Sequence, residues 1–359
     1  MDHKASPRNA GARLWKWTRK RVIRGWRRVF PPPPKPDETQ TAFATMIAMA
    51  AAAPPPAMQT RVAFVAPLYN TSPDYLDTLV ASVRAQRAGC WELILSDDGS
   101  TAPRTVAWLD AHAGDADLTI LRARRNAGIA AATNAGLAAA TAPWVALIDH
   151  DDALAPHALD RVLDTLARSP GCELIYTDEV IADRDLRPLE LFLKPAFDPV
   201  MLSGVNYINH LCVYRRARLM ELGGLRQGFQ GSQDYDLLLR YTRGLGRGQV
   251  LHLPYPAYLW RRDGESYSAL HIAEATRNAR RALAEAYAGA AGAPPVEHAV
   301  DVHLHRLRFD VLPGPRAAIS VIIPNRDSFE LIERCLSGLM EGTDYAALDV
   351  TVIDNGSRD

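Results

Sequence analysis

Directly after the apolar run Trp144-Val145-Ala146-Leu147-Ile148 come Asp149-His150-Asp151-Asp152, three carboxylates in four residues. A five-residue apolar run rich in β-formers reads as a strand buried on both faces, as in a parallel sheet. Carboxylates crowded at its C-terminal end do not serve a core. Like charges that close repel, and desolvating them is costly unless a cation or a donor answers them. The carboxyl edge of an open α/β sheet is where such folds bind their ligands. An Asp-x-Asp pair there suits a divalent cation carried by a diphosphate, because hard cations take carboxylate oxygen and keep several waters. Taken alone, the tetrapeptide is explained equally well as an Asp-rich turn with Asp152 capping the segment from Ala153.

The surrounding pattern decides for an α/β fold. From Arg61 onward, short apolar runs (62–66, 92–96, 118–121, 144–148 and 173–176) alternate with helical spacings at 74–86 and 129–140. Such alternation means βαβ units and a mostly parallel sheet flanked by helices. A further long helix is predicted over 273–291, followed by a linker at 289–295.

The N-terminal residues differ in kind. Ten cations lie between Lys4 and Arg28 against the single acid Asp2, with Trp15, Trp17 and Trp26 among them, although the chain as a whole has no net charge. Tryptophan among cations suits a membrane interface with anionic lipid. Nucleic acid is the competing partner for a basic arm, and a plain tail is as consistent with the residues. The proline run 31–36 reads as a stiff spacer. The four cysteines, Cys90, Cys172, Cys212 and Cys335, are widely spaced without a Cys-x-x-Cys pair, so neither zinc site nor disulfide framework is signalled and a reducing cytosol fits. The stretch 41–56 is too short to span a bilayer.

The chain also repeats itself. Ile319-Ser320-Val321-Ile322-Ile323-Pro324-Asn325 resembles the segment from Val62, and Val352-Ile353-Asp354-Asn355-Gly356-Ser357 resembles the segment ending at Ser100. Both matches stand at an offset of 257 residues, from Pro67 to Pro324 and from Ser100 to Ser357. Two anchors at one offset indicate a tandem duplication.

Five short motifs then occur in one order: Pro67-Leu68-Tyr69-Asn70, Ser96-Asp97-Asp98-Gly99-Ser100, Arg125-Asn126-Ala127-Gly128, Asp149-His150-Asp151-Asp152 and Gly231-Ser232-Gln233-Asp234-Tyr235-Asp236. That order resembles the family 2 glycosyltransferases of GT-A (Rossmann-like) fold, over about residues 61–270 and again from 317. Tyr176-Thr177-Asp178-Glu179, Leu193-Lys194-Pro195 and Asn206-Tyr207-Ile208-Asn209-His210 resemble the bacterial members that build surface polysaccharides such as O-antigen.

The resemblance implies an inverting, metal-dependent enzyme that moves a sugar from a nucleotide diphosphate sugar to a glycan or lipid-linked acceptor. It gives Pro67, Tyr69, Asn70, Asp97, Asp98, Arg125, Asn126 and Asp149 to the donor, and Asp151 with Asp149 to Mn2+ or Mg2+. Asp97 has an aspartate, Asp354, as its repeat counterpart, whereas Asp98 has Asn355, so Asp97 is preferred for a nucleobase. A helix start after Arg125-Asn126-Ala127-Gly128 favours phosphate, with ordinary capping as the rival account.

Asp234 is the expected general base, since an acceptor hydroxyl must lose its proton as it attacks an oxocarbenium-like centre. Asp178, Glu179, Gln233 and Arg261 are expected contacts of acceptor or diphosphate. For Arg261 a structural salt bridge competes. Asp236 is expected to face outward or to pair with Arg240. Tyr258-Leu259-Trp260-Arg261-Arg262 departs from the Gln-x-x-Arg-Trp motif of processive members.

The expected organisation is a basic arm and linker at 1–60, a GT-A domain at 61–270, a helix and linker at 271–316, and the truncated start of a second GT-A domain at 317–359. A cytoplasmic place is expected, peripheral on the inner face of the plasma membrane through residues 1–30; the resemblance disfavours nucleic acid as partner. Two rivals remain open: a nucleotidyltransferase, against which 67–74 lacks glycine and lysine, and a non-catalytic donor-binding scaffold at a membrane, against which stand Asp149, Asp151 and Asp234.

Overall fold

The structure, a computed structural model, describes residues 35–56, 60–262, 271–289, 292–308 and 317–358. The basic arm, residues 1–30, lies outside them, as does Asp263. The described residues form two compact units, one ending at Arg308 and one beginning at residue 317.

In the first unit, strands β1 (Val62–Leu68), β2 (Trp91–Asp97), β3 (Leu118–Arg122) and β4 (Trp144–Leu147) lie parallel in the order β3-β2-β1-β4. They alternate with helices α2 (Pro73–Arg84), α3 (Pro103–His112) and α4 (Ile129–Ala139), which follow α1 (Pro36–Ala52). β1 shows why a continuous apolar run was needed. Its residues Val62, Phe64, Ala66 and Leu68 enter one core cluster while Ala63 and Val65 enter the other, so the strand is buried on both faces. Pro67, which has no N–H to give, sits just beyond the last β1–β4 pair, Val65 with Leu147.

β4 leads to β5 (Ala153–Leu154) and α5 (Ala158–Arg168), then β6 (Leu174–Ala182), β7 (Pro188–Phe192), α6 (Pro199–Gly204), β8 (Cys212–Arg215), α7 (Arg216–Glu221), α8 (Gln233–Thr242) and β9 (Val250–Arg261). The sheet continues β4-β8-β6-β9-β5, and β7 pairs with β6. β8 runs antiparallel to both β4 and β6, while β6 and β9 are parallel. The parallel half is what the apolar runs announced; the reversal at β8 is an insertion they did not.

One segment differs from expectation. Residues 1–60 hold more than arm and linker: α1 lays Phe43 and Ile47 against buried Ala155, Val180 and Leu259 of the sheet. Helix α9 (Ile272–Ala286) lies where the long helix over 273–291 was expected. It buries Ala279, Ala282 and Leu283 in the core cluster that contains Leu238 and Tyr241 of α8. A short hairpin, β10 (Val296–His298) with β11 (His305–Leu307), completes the unit.

The second unit has β12 (Ile319–Asn325), α10 (Phe329–Met340) and β13 (Leu348–Asp354), with β12 and β13 parallel. Its internal geometry repeats that of β1 and β2. Every pair from Val62–Trp91 to Leu68–Asp97 has a counterpart 257 positions on, from Ile319–Leu348 to Asn325–Asp354. The turns repeat too. Ser100 N–H donates to Asp97 as Ser357 N–H does to Asp354. Ser100 Oγ accepts from Asn70 N–H as Ser357 Oγ does from Asp327 N–H. Gly99 and Gly356 share positive φ values of 74° and 73°.

Candidate active site

The carboxyl ends of β1, β2 and β4 lie side by side, and the Asp loop follows β4. Asp149 and Asp151 keep 45% and 42% of their side chains exposed. The loop is held from behind by β9. Tyr258 Oη accepts from the Asp149 amide at 3.0 Å, Asp152 Oδ1 accepts from the Arg261 amide at 2.7 Å, and Arg261 Nε donates to the Asp151 carbonyl at 2.6 Å. Asp152 is therefore buried support for the loop. Burial, with the charges of Asp149 and Asp151, drives its carboxyl well above the usual range.

The antiparallel insertion brings in the next group. Leu147 of β4 pairs with Cys212 of β8, so the chain just before β8 runs back past the Asp loop. His210 there places Nε2 at 3.5 Å from Asp149 Oδ2 and Nδ1 at 3.3 Å from Glu179 Oε2. Its ring stacks on Tyr258, centroids 5.1 Å apart, beside Trp260 at 5.9 Å; these are alternate residues of one strand and share a face. Desolvation lowers the affinity of His210 for a proton, but Glu179, Asp149 and Asp152 outweigh it and lift its pKa to about 9. An imidazolium therefore stands against the Asp loop at neutral pH. Desolvation raises the Asp149 carboxyl and His210 pulls it back, with Asp151 and Asp234 adding upward pushes.

Behind His210 lies Lys194, fully buried, with Nζ at 3.3 Å from Glu179 Oε2 and 3.0 Å from the Ile208 carbonyl; it also donates to the His210 carbonyl. Burial pushes Glu179 up, yet His210 and Lys194 outweigh it and hold the carboxyl below its ordinary value. Asp234 opens α8, whose Tyr235, Leu237, Leu238 and Tyr241 are buried and fix the helix start. Its Oδ2 accepts from Asn206 Nδ2 at 2.9 Å and from Asn209 Nδ2. The loop before β8 thus links a carboxylate pair, an imidazolium and a carboxylate on a helix start.

Comparison with known proteins shows what the chain is similar to. Residues 63–222 match the family described as Glycosyl transferase family 2. The chain is 34% identical over 300 residues to an uncharacterized protein, y4gI, of Sinorhizobium fredii, covering 82% of this chain and 33% of that protein. It is 31% identical over 300 residues to the O-antigen biosynthesis protein RfbC of Myxococcus xanthus, covering 82% of this chain and 23% of that protein. The chain thus spans a third or less of these curated relatives. A crystal structure of S. aureus TarS 1-349 in complex with UDP-GlcNAc aligns with TM-score 0.51 at 16% identity, over 64% of this chain and 66% of that one. The fold is GT-A, as the motif order implied. Asp234 lies beyond the matched family region.

Within the first unit the residues expected from sequence divide into two groups. Tyr69, Arg125, Asn126, Asp149 and Asp151 reach solvent at the carboxyl edge. The others carry internal bonds. Pro67 is buried in β1. Asp97 is buried and accepts from the Ser100 amide at 3.1 Å and 3.2 Å. Asn70, at φ 52°, accepts the Thr101 and Ala102 amides at 2.8 Å each.

Asp98, expected at the donor, has both oxygens engaged by the Ala127 and Gly128 amides at 2.8 Å and 2.7 Å. It occupies the amides ahead of α4 that were expected to favour phosphate. Gly99 lets this turn approach: a Cβ there would lie 2.7 Å from the Arg125 backbone.

Asp178 and Glu179 were expected at acceptor or diphosphate, but both are buried. Asp178 accepts from the Lys194 amide at 2.8 Å and faces His252 Nε2 at 2.8 Å, while Glu179 serves Lys194 and His210. Arg261, expected near diphosphate, is buried against Tyr75 and spends Nε and Nη1 on the Asp151 and Arg184 carbonyls. Asp236 does not face outward; it is buried and paired with Arg240 at 2.8 Å, and with Arg226. Gln233 sits beside Asp234 with Oε1 buried and unbonded.

The sequence reading gave no role to Lys194, Asn206, Asn209 or His210. Their signal was present, since polar residues interrupt apolar ones in 193–195 and 206–210, but only the β8 reversal brings them to the Asp loop.

Proposed function

We propose that this domain transfers a sugar, with inversion, from a nucleotide diphosphate sugar to a glycan or lipid-linked acceptor in polysaccharide assembly. One observation carries the reading: the loop before β8 links the two halves of the site, with Asn209 bonded to the Asp234 carboxylate and its neighbour His210 at 3.5 Å from Asp149 of the exposed Asp149-x-Asp151 pair. The O-antigen protein RfbC and the UDP-GlcNAc complex of TarS support the donor class and the polysaccharide setting.

The donor set fits a metal. Among the described residues no cluster of three or more His, Cys, Asp and Glu side chains would hold an ion. Two carboxylates open to solvent suit Mn2+ or Mg2+, which take one or two carboxylates and fill the remainder with diphosphate oxygen and water. Asp149 and Asp151 would hold the ion, which supplies charge neutralisation to the leaving diphosphate. In this reading Asp97 accepts from the nucleobase, Tyr69 offers its exposed ring, and Arg125 and Asn126 flank the phosphates. Asp98 shapes their loop. Asp234 takes the proton of the acceptor hydroxyl, and a single base without an enzyme nucleophile leads to inversion.

Calorimetry with UDP-, GDP- and dTDP-sugars plus Mn2+ or Mg2+ selects the donor. Asp151→Ala should remove metal-dependent affinity. Asp234→Asn should keep affinity and lose transfer by ~10²–10⁴-fold. Undiminished metal-dependent binding in the first variant, or more than a tenth of the parent rate in the second, refutes the reading.

The repeated pairing register and turn bonds support reading residues from 317 as the start of a second GT-A domain. No helix among the described residues is long and apolar enough to cross a membrane. The ten cations of the arm supply attraction to an anionic surface. Vesicle sedimentation with and without residues 1–36 reads that attraction, and equal binding would refute it.

A further inference from the structure

Both side-chain amides that reach Asp234 converge on the same oxygen. Asn206 Nδ2 stands 2.9 Å from Oδ2 and Asn209 Nδ2 donates to it as well, while no donor among the described residues reaches Oδ1. A carboxylate oxygen with two amide donors is a poor proton acceptor, because a proton there would displace bonds to the charged form. We propose that Asn206 and Asn209 are positioning residues that occupy Oδ2 and leave Oδ1 as the proton-accepting atom of Asp234. This rests on Asp234 being the base of the proposed transfer.

The clamp is held in place. Lys194 Nζ fastens the carbonyls of Ile208 and His210, and Glu179 Oε2 accepts the His210 amide at 2.5 Å. Asn209 lies between those anchored residues, and Asn206 precedes them. The same loop sets His210 against Asp149, so one buried ion pair positions groups on the donor side and at the base. The titratable groups around Asp234 are Asp149 from the Asp loop, Cys212 and Tyr214 of β8, and its neighbour Tyr235.

The test is the pH dependence of kcat for nucleoside diphosphate release from the donor selected above, with water as acceptor. A hydrogen bond to a charged group is worth roughly one to two pKa units. Asn206→Ala and Asn209→Ala should each move the acid limb of kcat up by about one unit. Donor affinity should stay unchanged, and the rate should recover above the shifted limb. Asp234→Asn should recover at no pH. If Asn209→Ala does not fold, Asn206→Ala decides, since its backbone carries none of the loop's anchors. An acid limb that stays in place in Asn206→Ala, with Asp234→Asn inactive, overturns the clamp alone. Activity retained by Asp234→Asn removes the base assignment and the clamp with it.

Discussion

Glu179→Gln removes the carboxylate that bridges the buried Lys194 and the partly buried His210. Lys194 is fully buried and Glu179 is 5% exposed, so neither has water to fall back on. The glutamine keeps the shape and one acceptor oxygen but leaves the Lys194 ammonium with neutral acceptors alone, the glutamine oxygen and the Ile208 and His210 carbonyls. Removing one partner of a buried pair costs about 3–5 kcal/mol, and the retained acceptor argues for ~3. In a unit of this size each kcal/mol moves Tm by roughly 2–4 °C, so the variant should melt about 6–12 °C lower at pH 7.

The cost belongs to the uncompensated charge, so Glu179→Gln with Lys194→Met should recover most of it. His210 gives a second readout. Its folded pKa of about 9 stands above its ordinary 6.5, so its contribution is complete below pH 6.5 and is lost as pH rises through 9. Parent stability should fall across that window, and the Glu179→Gln profile should be flatter because the main source of the shift is gone. Calorimetric melts of the parent, both singles and the double at pH 6, 7.5 and 9 check this. A single variant within about 1 kcal/mol of the parent, or a double as unstable as the singles combined, refutes the reasoning.

Asp98→Ala removes the acceptor of two amides and should weaken donor binding at least tenfold by calorimetry, since a bond to a charged group is worth about 1.5–3 kcal/mol. Gly136→Ala places a methyl 2.4 Å from Val65 Cγ1, where α4 presses on β1, and should cost about 1–3 kcal/mol by urea unfolding. Ending the chain at Arg308 removes exposed Ile322, Phe329, Leu331 and Val352; it should raise solubility by light scattering and leave transfer unchanged.

By itself the sequence determined the parallel half of the sheet, the order of the motifs and the repeat. Each is a local property: apolar runs specify buried strands, strand–helix alternation specifies βαβ units, and carboxylates after a buried run need a ligand or a cap. Even the pairing register of β12 with β13 was implicit in the constant offset of 257. Only the tertiary structure decided which polar residues stay available to a ligand. Asp98, Asp178 and Glu179 are as acidic in sequence as Asp149 and Asp151, yet the fold spends them on backbone amides and a buried lysine. The same holds for His210, Asn206 and Asn209, whose roles depend on β8 running backward between β4 and β6. Strand direction within a sheet is settled by packing among distant segments, and hydrogen-bond satisfaction of a buried group is settled by whatever lies across from it. Neither is encoded at the position of the residue concerned.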